Sequence, residues 1–166
     1  MIFFVIARPH KLLPAMMNEN ISTIMTTKMV TVHPDDKLTV VKDILFNKRI
    51  HHIPVVKGPK NKLVGIITSY DIFKLDRKFD EYDSILVQEV MTRKIATLHP
   101  NEKIGAAAQV FLRHLFHGLP IVNDDLELLG IITTHDVLKY NFDKEYPNDE
   151  FEIQWRNLEI TDGDED

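Results

Sequence analysis

The same short run of chemically capable residues occurs twice in the sequence, at residues 65–71 (GIITSYD) and 130–136 (GIITTHD). Each copy predicts a buried strand that ends where a helix begins. A helix start offers unpaired amides and the positive end of the helix dipole, which favour an anion. The threonine hydroxyl could donate to a phosphate oxygen, and the aspartate could accept from the vicinal hydroxyls of a ribose. These residues are Thr68 and Asp71 in the first copy, and Thr133 and Asp136 in the second.

A helix cap is the alternative interpretation of this pattern. Threonine just before a helix and aspartate three residues later form a capping box, which satisfies the free amides of the helix start without any ligand. For one copy alone the cap is the simpler interpretation. The recurrence of Thr-x-x-Asp after the same Gly-Ile-Ile in both copies favours a ligand. Shared descent would also preserve a cap, so both interpretations stay open.

The two junctions belong to a longer internal repeat that must position them. Residues 25–56 align without a gap with residues 91–122, and the alignment resumes at the junctions after the loss of one residue. MTTKMVTVHPDDKL is matched by MTRKIATLHPNEKI, and HHIPVV by HGLPIV. A unit of this size cannot cover its own sheet. The sequence therefore predicts two equivalent units that pack on each other.

Each unit is predicted to fold as β-α-β-β-α. A short amphipathic lead-in ends at Met25 or Met91, and Asp35 and Asn101 are candidate N-caps of the first full helix. The predicted fold class is α+β, an α/β sandwich in which the two units pack sheet to sheet about a pseudo-twofold axis. The predicted strands are residues 30–33, 53–56 and 63–68 in the first unit, and 96–99, 119–122 and 128–133 in the second.

Composition limits the class of protein. Of 166 residues, 44% are hydrophobic and 27% charged, which is enough apolar material for a folded core. The absence of cysteine rules out disulfides and thiolate sites and suits the cytoplasm. The net charge is −5, with the acidity concentrated after residue 143, so the remainder lacks the basic surface that nucleic-acid binding needs. No apolar run is long enough to span a membrane.

Metal-binding and catalytic motifs are not recognised. His114 and His117 are three residues apart, but no carboxylate or further histidine accompanies them at ligand spacing. The sequence contains no nucleophile elbow, P-loop or dinucleotide fingerprint. We therefore expect no metal and no enzymatic activity.

The pair of units resembles the cystathionine-β-synthase (CBS) domain pair, or Bateman module. The Met-Thr lead-ins, the strands with a central proline and the G-h-h-T-x-x-D junctions carry this resemblance over residues 20–140. It implies a regulatory module, usually a homodimer, that binds AMP, ADP, ATP or S-adenosylmethionine in two clefts between the repeats. It also implies that Thr68 with Asp71, and Thr133 with Asp136, hold phosphate and ribose. The base would lie around residues 29–31, including Thr31, with Ile53 and Pro54, and around residues 95–97, including Thr97, with Leu119 and Pro120.

Three histidines precede the proline-containing strands. His51 and His52 stand before Ile53 in the first repeat, and His117 and Gly118 occupy the equivalent positions in the second. Resemblance to nucleotide-sensing members of the family implies that basic residues here reach the phosphates, and that Gly118 weakens those contacts. The alternative is that these histidines are ordinary polar residues at a strand start. On the first interpretation, nucleotide affinity should rise as pH falls from about 8 to about 6.

The chain is thus divided into an N-terminal extension (1–19), a first repeat (20–75), a linker (76–84), a second repeat (85–140) and an acidic tail (141–166). We expect a stand-alone sensor that binds an adenine nucleotide and regulates a partner protein in trans. The alternatives are a ligand-free structural dimerisation module, an S-adenosylmethionine sensor, and an enzyme fragment or accessory subunit.

Two segments offer contacts to partners. The small residues at 105–108 (GAAA) suit either helix packing across a homodimer or internal packing against the sheet. The tail carries aromatic and aliphatic side chains among its acids, which could dock on the body or on a partner. These are Phe151, Ile153 and Trp155.

Overall fold

The structure, a computed structural model, describes residues 17–48 and 50–147. Each repeat contains one long helix, a β-hairpin and a closing helix. The first repeat comprises α1 (Leu38–Lys48), β1 (His52–Lys57), β2 (Lys62–Thr68) and α2 (Ser69–Lys74). The second comprises α4 (Ile104–His114), β3 (Gly118–Val122), β4 (Leu128–Thr133) and α5 (Thr134–Glu145). A 3-10 turn (Ile21–Thr23) precedes the first repeat, and a 3-10 helix (Phe79–Ser84) and α3 (Val87–Val90) precede the second. The aromatic tail residues lie outside the described residues.

The two hairpins have the same antiparallel register and the same irregularity. Ile53 lies opposite Ile67 in the first sheet, and Leu119 lies opposite Ile132 in the second. The register shifts between Val55 and Val56 in the first sheet and between the equivalent residues Ile121 and Val122 in the second. The predicted β segments at 30–33 and 96–99 are shorter than expected. Each consists of one parallel bridge residue, Val32 or Leu98. A proline follows two residues later in both repeats and has no N–H with which to extend the pairing.

The predicted side-chain caps at Asp35 and Asn101 are wrong. The helices begin three residues later, at Leu38 and Ile104, and backbone carbonyls accept from their first amides. The Leu38 amide donates to the carbonyl of Ile85, and the Ile104 amide donates to that of Glu19, each at 3.0 Å. Both carbonyls belong to the segment that leads into the opposite repeat. Such distant acceptors leave no local sequence signal.

The hydrophobic core consists of two clusters, and each combines one repeat with the lead-in of the other. Ile21, which is fully buried, packs with the helices and strands of the second repeat. Tyr82 of the linker, and Val87 and Met91 of the lead-in to the second repeat, pack on the first repeat. Ala107 is fully buried in the second-repeat cluster. Among the small residues of α4, Ala107 therefore serves internal packing.

Short backbone pairings hold each lead-in to the opposite hairpin. Thr26 and Ile131 exchange two hydrogen bonds of 2.9 and 3.0 Å, and Ile66 and Thr92 exchange two of 2.9 and 2.8 Å. The crossed lead-ins are thus part of both the core and the sheet edges. They place the end of β2 next to the start of the second repeat, and the end of β4 next to the start of the first.

The hairpin tips also join the repeats. The amide of Leu63 donates to the carbonyl of Leu126 at 2.8 Å, and that of Leu128 donates to Asn61 at 3.1 Å. Lys60 and Glu127 form an ion pair at 3.1 Å across the same contact. The predicted α+β fold with two equivalent repeats is confirmed. Across the described ranges, none of the helices has the length and apolar character required to traverse a bilayer.

The glycine that opens each GIIT motif makes room for the crossed lead-in. A β-carbon added at Gly130 would lie 2.9 Å from the sulfur of Met25 and 3.0 Å from the carbonyl oxygen of Thr26. One added at Gly65 would lie 2.6 Å from the sulfur of Met91. The methionine side chains can move, but the carbonyl at Thr26 is held by the strand pairing.

We expect Gly130→Ala to lower the free energy of unfolding by about 1–3 kcal/mol, because the added methyl overpacks against the paired backbone. Urea denaturation measures this effect. The control is Gly105→Ala, where the nearest atoms to a new β-carbon belong to Met17 at 3.5 Å. Since alanine is the better helix former, this variant should be as stable as the wild type or more stable. Equal stability of both variants would contradict the close approach at Gly130.

Candidate functional site

The two junction motifs form complete capping boxes. At the start of α5, the amide and hydroxyl of Thr133 both donate to Oδ2 of Asp136, each at 2.7 Å, and the Asp136 amide donates back to the hydroxyl at 3.3 Å. Thr68 and Asp71 make the same three contacts at the start of α2, at 2.8, 2.6 and 3.2 Å. The predicted capping box is therefore present at the start of both helices. Each threonine has also given its one hydroxyl proton to the aspartate, so this geometry does not support it as a phosphate donor.

The cap uses one carboxylate oxygen and leaves the other for further contacts. Among the described residues, none donates to Oδ1 of Asp136. Oδ1 of Asp71 accepts one long hydrogen bond of 3.3 Å from the hydroxyl of Thr92. A carboxylate oxygen has two lone pairs and can accept from two hydroxyls. Cap and ligand are therefore compatible uses of the same side chain.

Asp136 lies in the larger of two clefts between the repeats, here called cleft 1, with a volume of about 570 Å³. The junction of the second repeat forms one side. The other side comes from the first repeat, near Met29 and Val30 and around the start of β1. Its full lining is Thr26, Lys28, Met29, Val30, Ile50, His51, His52, His117, Ile131, Thr133, Thr134, His135 and Asp136.

Asp71 lies in the pseudo-symmetric cleft 2, whose volume is about 260 Å³. Here the junction of the first repeat faces residues of the second. The lining comprises His52, Ile66, Thr68, Tyr70, Asp71, Thr92, Lys94, Ile95, Ala96, Leu115, Phe116, His117, Gly118, Leu119 and Pro120. The two clefts thus combine side chains from both repeats, as the crossed lead-ins require.

The structure brings together most of the site residues that the sequence predicted. All three histidines and both Thr-Asp pairs line a cleft, as do Leu119 and Pro120. Of the expected base-binding region of the first repeat, Met29 and Val30 line cleft 1, but the other members do not. Ile53 and Pro54 are buried within the first sheet, and neither they nor the half-buried Thr31 and Thr97 are among the residues that line either cleft.

His52 lies where the two clefts meet. Together with His117 it lines both of them. Its ring packs across the second repeat at Gly118, where an added β-carbon would lie 3.1 Å from the ring. Gly118 therefore stands where a side chain equivalent to His52 would clash with His52 itself. Of these two equivalent positions, only that of the first repeat therefore carries an imidazole.

Burial lowers the pKa of the His52 imidazole from its usual range. The neighbouring imidazoles of His117 and then His51 lower this pKa further, whereas the carboxylate of Asp71 acts in the opposite direction. The neutral form of His52 is thus favoured in the protein without ligand. Any anion placed beside the ring would work against this shift.

Sequence reasoning missed several lining residues. His135 and Tyr70 occupy the same variable position of the Thr-x-x-Asp motif, and Leu115 and Phe116 follow α4. The repeat alignment gave a signal for the first pair, since both residues stand at the same position inside the repeated motif. For the second pair no local signal existed, because Leu115 ends its helix in a left-handed conformation at φ 55° that redirects the chain. Across residues 17–48 and 50–147, no cluster of three histidine or carboxylate side chains suited to a metal ion occurs.

The shifted pKa of His52 predicts a pH-dependent stability. Because the folded-state pKa is below the unfolded value, the unfolded chain binds the proton more readily, and stability is lost as pH falls below about 6.5. We expect the unfolding free energy of the wild type to fall more steeply than that of His52→Asn between about pH 7.5 and pH 5.5. Urea titrations at each pH measure the difference, and His33→Asn, at an exposed histidine, is the control. Parallel curves for wild type and His52→Asn would contradict the assignment.

The comparisons with known proteins agree with this architecture. The family model of the CBS domain matches residues 21–78 and 87–143. Protein MJ1225 of Methanocaldococcus jannaschii is 34% identical over 131 residues, which cover 70% of this chain and 47% of that protein. Its crystal structure superposes with a TM-score of 0.69 at 30% identity, over 75% of this chain and 48% of that one.

Two further relatives carry the same module. The homoserine O-acetyltransferase of Methanococcoides burtonii is 34% identical over 119 residues, 71% of this chain but 23% of the enzyme. The CBS domain pair of protein MJ0100, crystallised with 5′-methylthioadenosine and S-adenosyl-L-methionine, is 29% identical with a TM-score of 0.66, over 76% of this chain and 98% of that one. This chain thus spans about half the length of MJ1225 and about a quarter of the length of the homoserine O-acetyltransferase. With both repeats matched and the crossed clefts in place, the chain belongs to the CBS domain family.

Proposed function

We propose that this chain is a regulatory module that binds an adenosine-containing ligand reversibly between its two repeats. Cleft 1 is the proposed principal site. The observation that carries the proposal is Oδ1 of Asp136, which accepts no hydrogen bond from residues 17–48 or 50–147 and lies in an inter-repeat cleft with both apolar and basic walls. A ligand with a diol, a flat apolar ring and an anionic group matches these three features. The adenine nucleotides AMP, ADP and ATP have all of them.

The residues of cleft 1 near the junction can bind the diol of the ribose, and those on the facing repeat can bind the ring of the base. The two hydroxyls of a ribose can donate to the two lone pairs of Oδ1 while the capping box stays intact. Met29, Val30 and Ile50 offer apolar surface on the facing repeat for the base. Burying a flat aromatic ring against such side chains is favourable because it removes apolar area from water.

Backbone amides and basic side chains of cleft 1 can bind the anionic group of the ligand. The first-turn amides of Thr134 and Asp136 already donate to His117 and Thr133, whereas that of His135 has no acceptor among the described residues. An anion at this end of the 12-residue helix α5 would accept from the His135 amide and meet the positive end of the helix dipole. Lys28 and the imidazoles around the cleft add charge-assisted hydrogen bonds.

The adenosyl ligands of the MJ0100 domain pair support the same ligand class, since that pair is 29% identical to this chain. Its S-adenosyl-L-methionine keeps an S-adenosylmethionine sensor as a second candidate function. The excess of basic over acidic side chains in cleft 1 favours a phosphorylated ligand there.

Regulation needs two conformations with different affinity for the ligand. The repeats contact each other through the crossed lead-ins and the hairpin tips, and the ligand would bind between them, so it can bias how they sit together. The regulated target is proposed to be another protein, with no reaction catalysed by this module. A homodimer is the proposed assembly. The apolar side chains of Leu112 on α4 and Leu138 on α5, which are 83% and 67% exposed, support association.

Ligand binding is tested by thermal shift and calorimetry with AMP, ADP, ATP and S-adenosylmethionine. A ligand at 100 times its dissociation constant stabilises the folded state by about 2.7 kcal/mol. Asp136→Asn should weaken binding roughly tenfold or more, because asparagine keeps an oxygen for the cap but turns an amide toward the diol. The control is Asp143→Asn, an exposed residue of the same helix that pairs with Lys139 at 2.6 Å and does not line cleft 1.

Two outcomes would contradict the proposal. If none of the four ligands stabilises the protein, the ligand-free structural module is the better description. If a ligand binds but Asp136→Asn and Asp143→Asn bind it equally well, the ribose contact is wrong. An accessory subunit would instead bind ligand only when its catalytic partner is present.

The basic wall of cleft 1 predicts pH-dependent nucleotide binding. The affinity for AMP should rise as pH falls from about 8 to about 6.5, because a bound phosphate raises the pKa of imidazoles that face it. His52 starts from a lowered pKa, so its contribution comes at the acidic end. The titratable and charged groups around the cleft are Lys28, His51, His52, His117, His135 and, with opposite charge, Asp136. Calorimetry should find no such rise for adenosine, which lacks the phosphate; an equal affinity for AMP at both pH values would remove the histidines from the site.

A further inference from the structure

The pseudo-symmetry of the repeats makes the two clefts a matched comparison. The Asp-Thr pair, a lysine and one histidine occur at equivalent positions in both. Other equivalent positions differ. His135 of cleft 1 corresponds to Tyr70 of cleft 2, and Ile50 corresponds to Phe116. These differences concern charge and size, whereas the residues proposed to hold the ribose are the same.

Cleft 1 is the more basic of the two. Four imidazoles and the ammonium of Lys28 face one carboxylate, Asp136. Cleft 2 has two imidazoles, both shared with cleft 1, and the ammonium of Lys94, which face the carboxylate of Asp71. The helix starts differ as well, since α5 has 12 residues and α2 has six. Cleft 1 therefore offers more groups that can bind an anion than cleft 2 does.

Cleft 2 is the smaller and more aromatic of the two. Leu115, Phe116 and the ring of Tyr70 line it together with the strand residues Leu119 and Pro120. The ammonium of Lys74 lies 4.6 Å from the centre of the Tyr70 ring, which engages that charge in a cation–π contact outside the cleft lining. The volume of cleft 2, about 260 Å³, is less than half that of cleft 1. These features suit an uncharged ligand with little beyond its ring and sugar.

We propose that the two clefts sort adenosyl ligands by charge, so that cleft 1 takes a 5′-phosphorylated adenosine and cleft 2 takes an uncharged 5′-substituted adenosine. This inference rests on the proposed function and specifies the ligand class of each cleft. His135 and Tyr70 are the specificity-determining pair, because they occupy the same motif position and differ in their capacity to carry positive charge. One chain would then report on two chemically distinct ligands at once.

The experiment uses AMP and 5′-methylthioadenosine as probes of the two classes. Each cleft is assigned with Asp136→Asn, which disables cleft 1, and with Asp71→Asn, which disables cleft 2. Calorimetry should then find that Asp136→Asn loses most AMP binding and keeps methylthioadenosine binding, and that Asp71→Asn does the reverse. Binding of both probes to both clefts with equal affinity would overturn the sorting but leave the proposed function intact.

Reciprocal substitutions test the specificity pair directly. His135→Tyr should weaken AMP binding by about threefold to tenfold and leave methylthioadenosine binding unchanged, as expected for loss of one hydrogen bond or charge contact to phosphate. Tyr70→His, measured in the Asp136→Asn background, should strengthen AMP binding to cleft 2 by a similar factor. Unchanged AMP affinities in both variants would overturn the role of this pair. Failure of both probes to bind the wild type would overturn the proposed function together with this inference.

Discussion

Four backbone hydrogen bonds at the two crossed lead-ins are the constraint on which the rest of the structure depends. They join Thr26 to Ile131 and Thr92 to Ile66, so each repeat completes its core and its sheet edge with a piece of the other. The pairing is possible because glycine opens each GIIT motif. The clefts follow from this crossing, since it places the junction of one repeat opposite the first residues of the other. A ligand-binding surface assembled in this way belongs to neither repeat alone.

The junction motif illustrates how one side chain serves stability and recognition together. A capping box and a ribose contact were competing interpretations of Thr-x-x-Asp, and the geometry makes them compatible. One oxygen of Asp136 satisfies the helix start, while the other has no donor among the described residues. The cap also fixes the rotamer of the carboxylate, which reduces the entropy that binding would have to remove. Preorganisation here comes from the local hydrogen bonds of the helix start.

Much of the fold and the site could be predicted because the repeat supplied two readings of every element. The hairpin strands, the closing helices and the junctions were predictable from apolar runs followed by capping residues, whereas the predicted β segments at 30–33 and 96–99 are single bridge residues. The caps of α1 and α4 were not, because the carbonyls of Ile85 and Glu19 come from distant segments. The absence of Ile53 and Pro54 from the cleft lining has a similar cause, since the side of a strand that faces a cleft depends on the opposite repeat. Sequence patterns report local preferences. The wrong predictions concern helix caps and cleft residues whose surroundings are set by the opposite repeat.

The crossed lead-ins have a consequence for synthesis on the ribosome. The first repeat cannot close its core when its own closing helix emerges, because Tyr82, Val87 and Met91 have not yet been translated. The earliest segment, with Ile21, must in turn wait for strands made near the end of the described chain. We therefore expect that the first repeat does not fold as an independent domain before the second is synthesised. Both core clusters are complete only after the strands and helices of the second repeat have been synthesised.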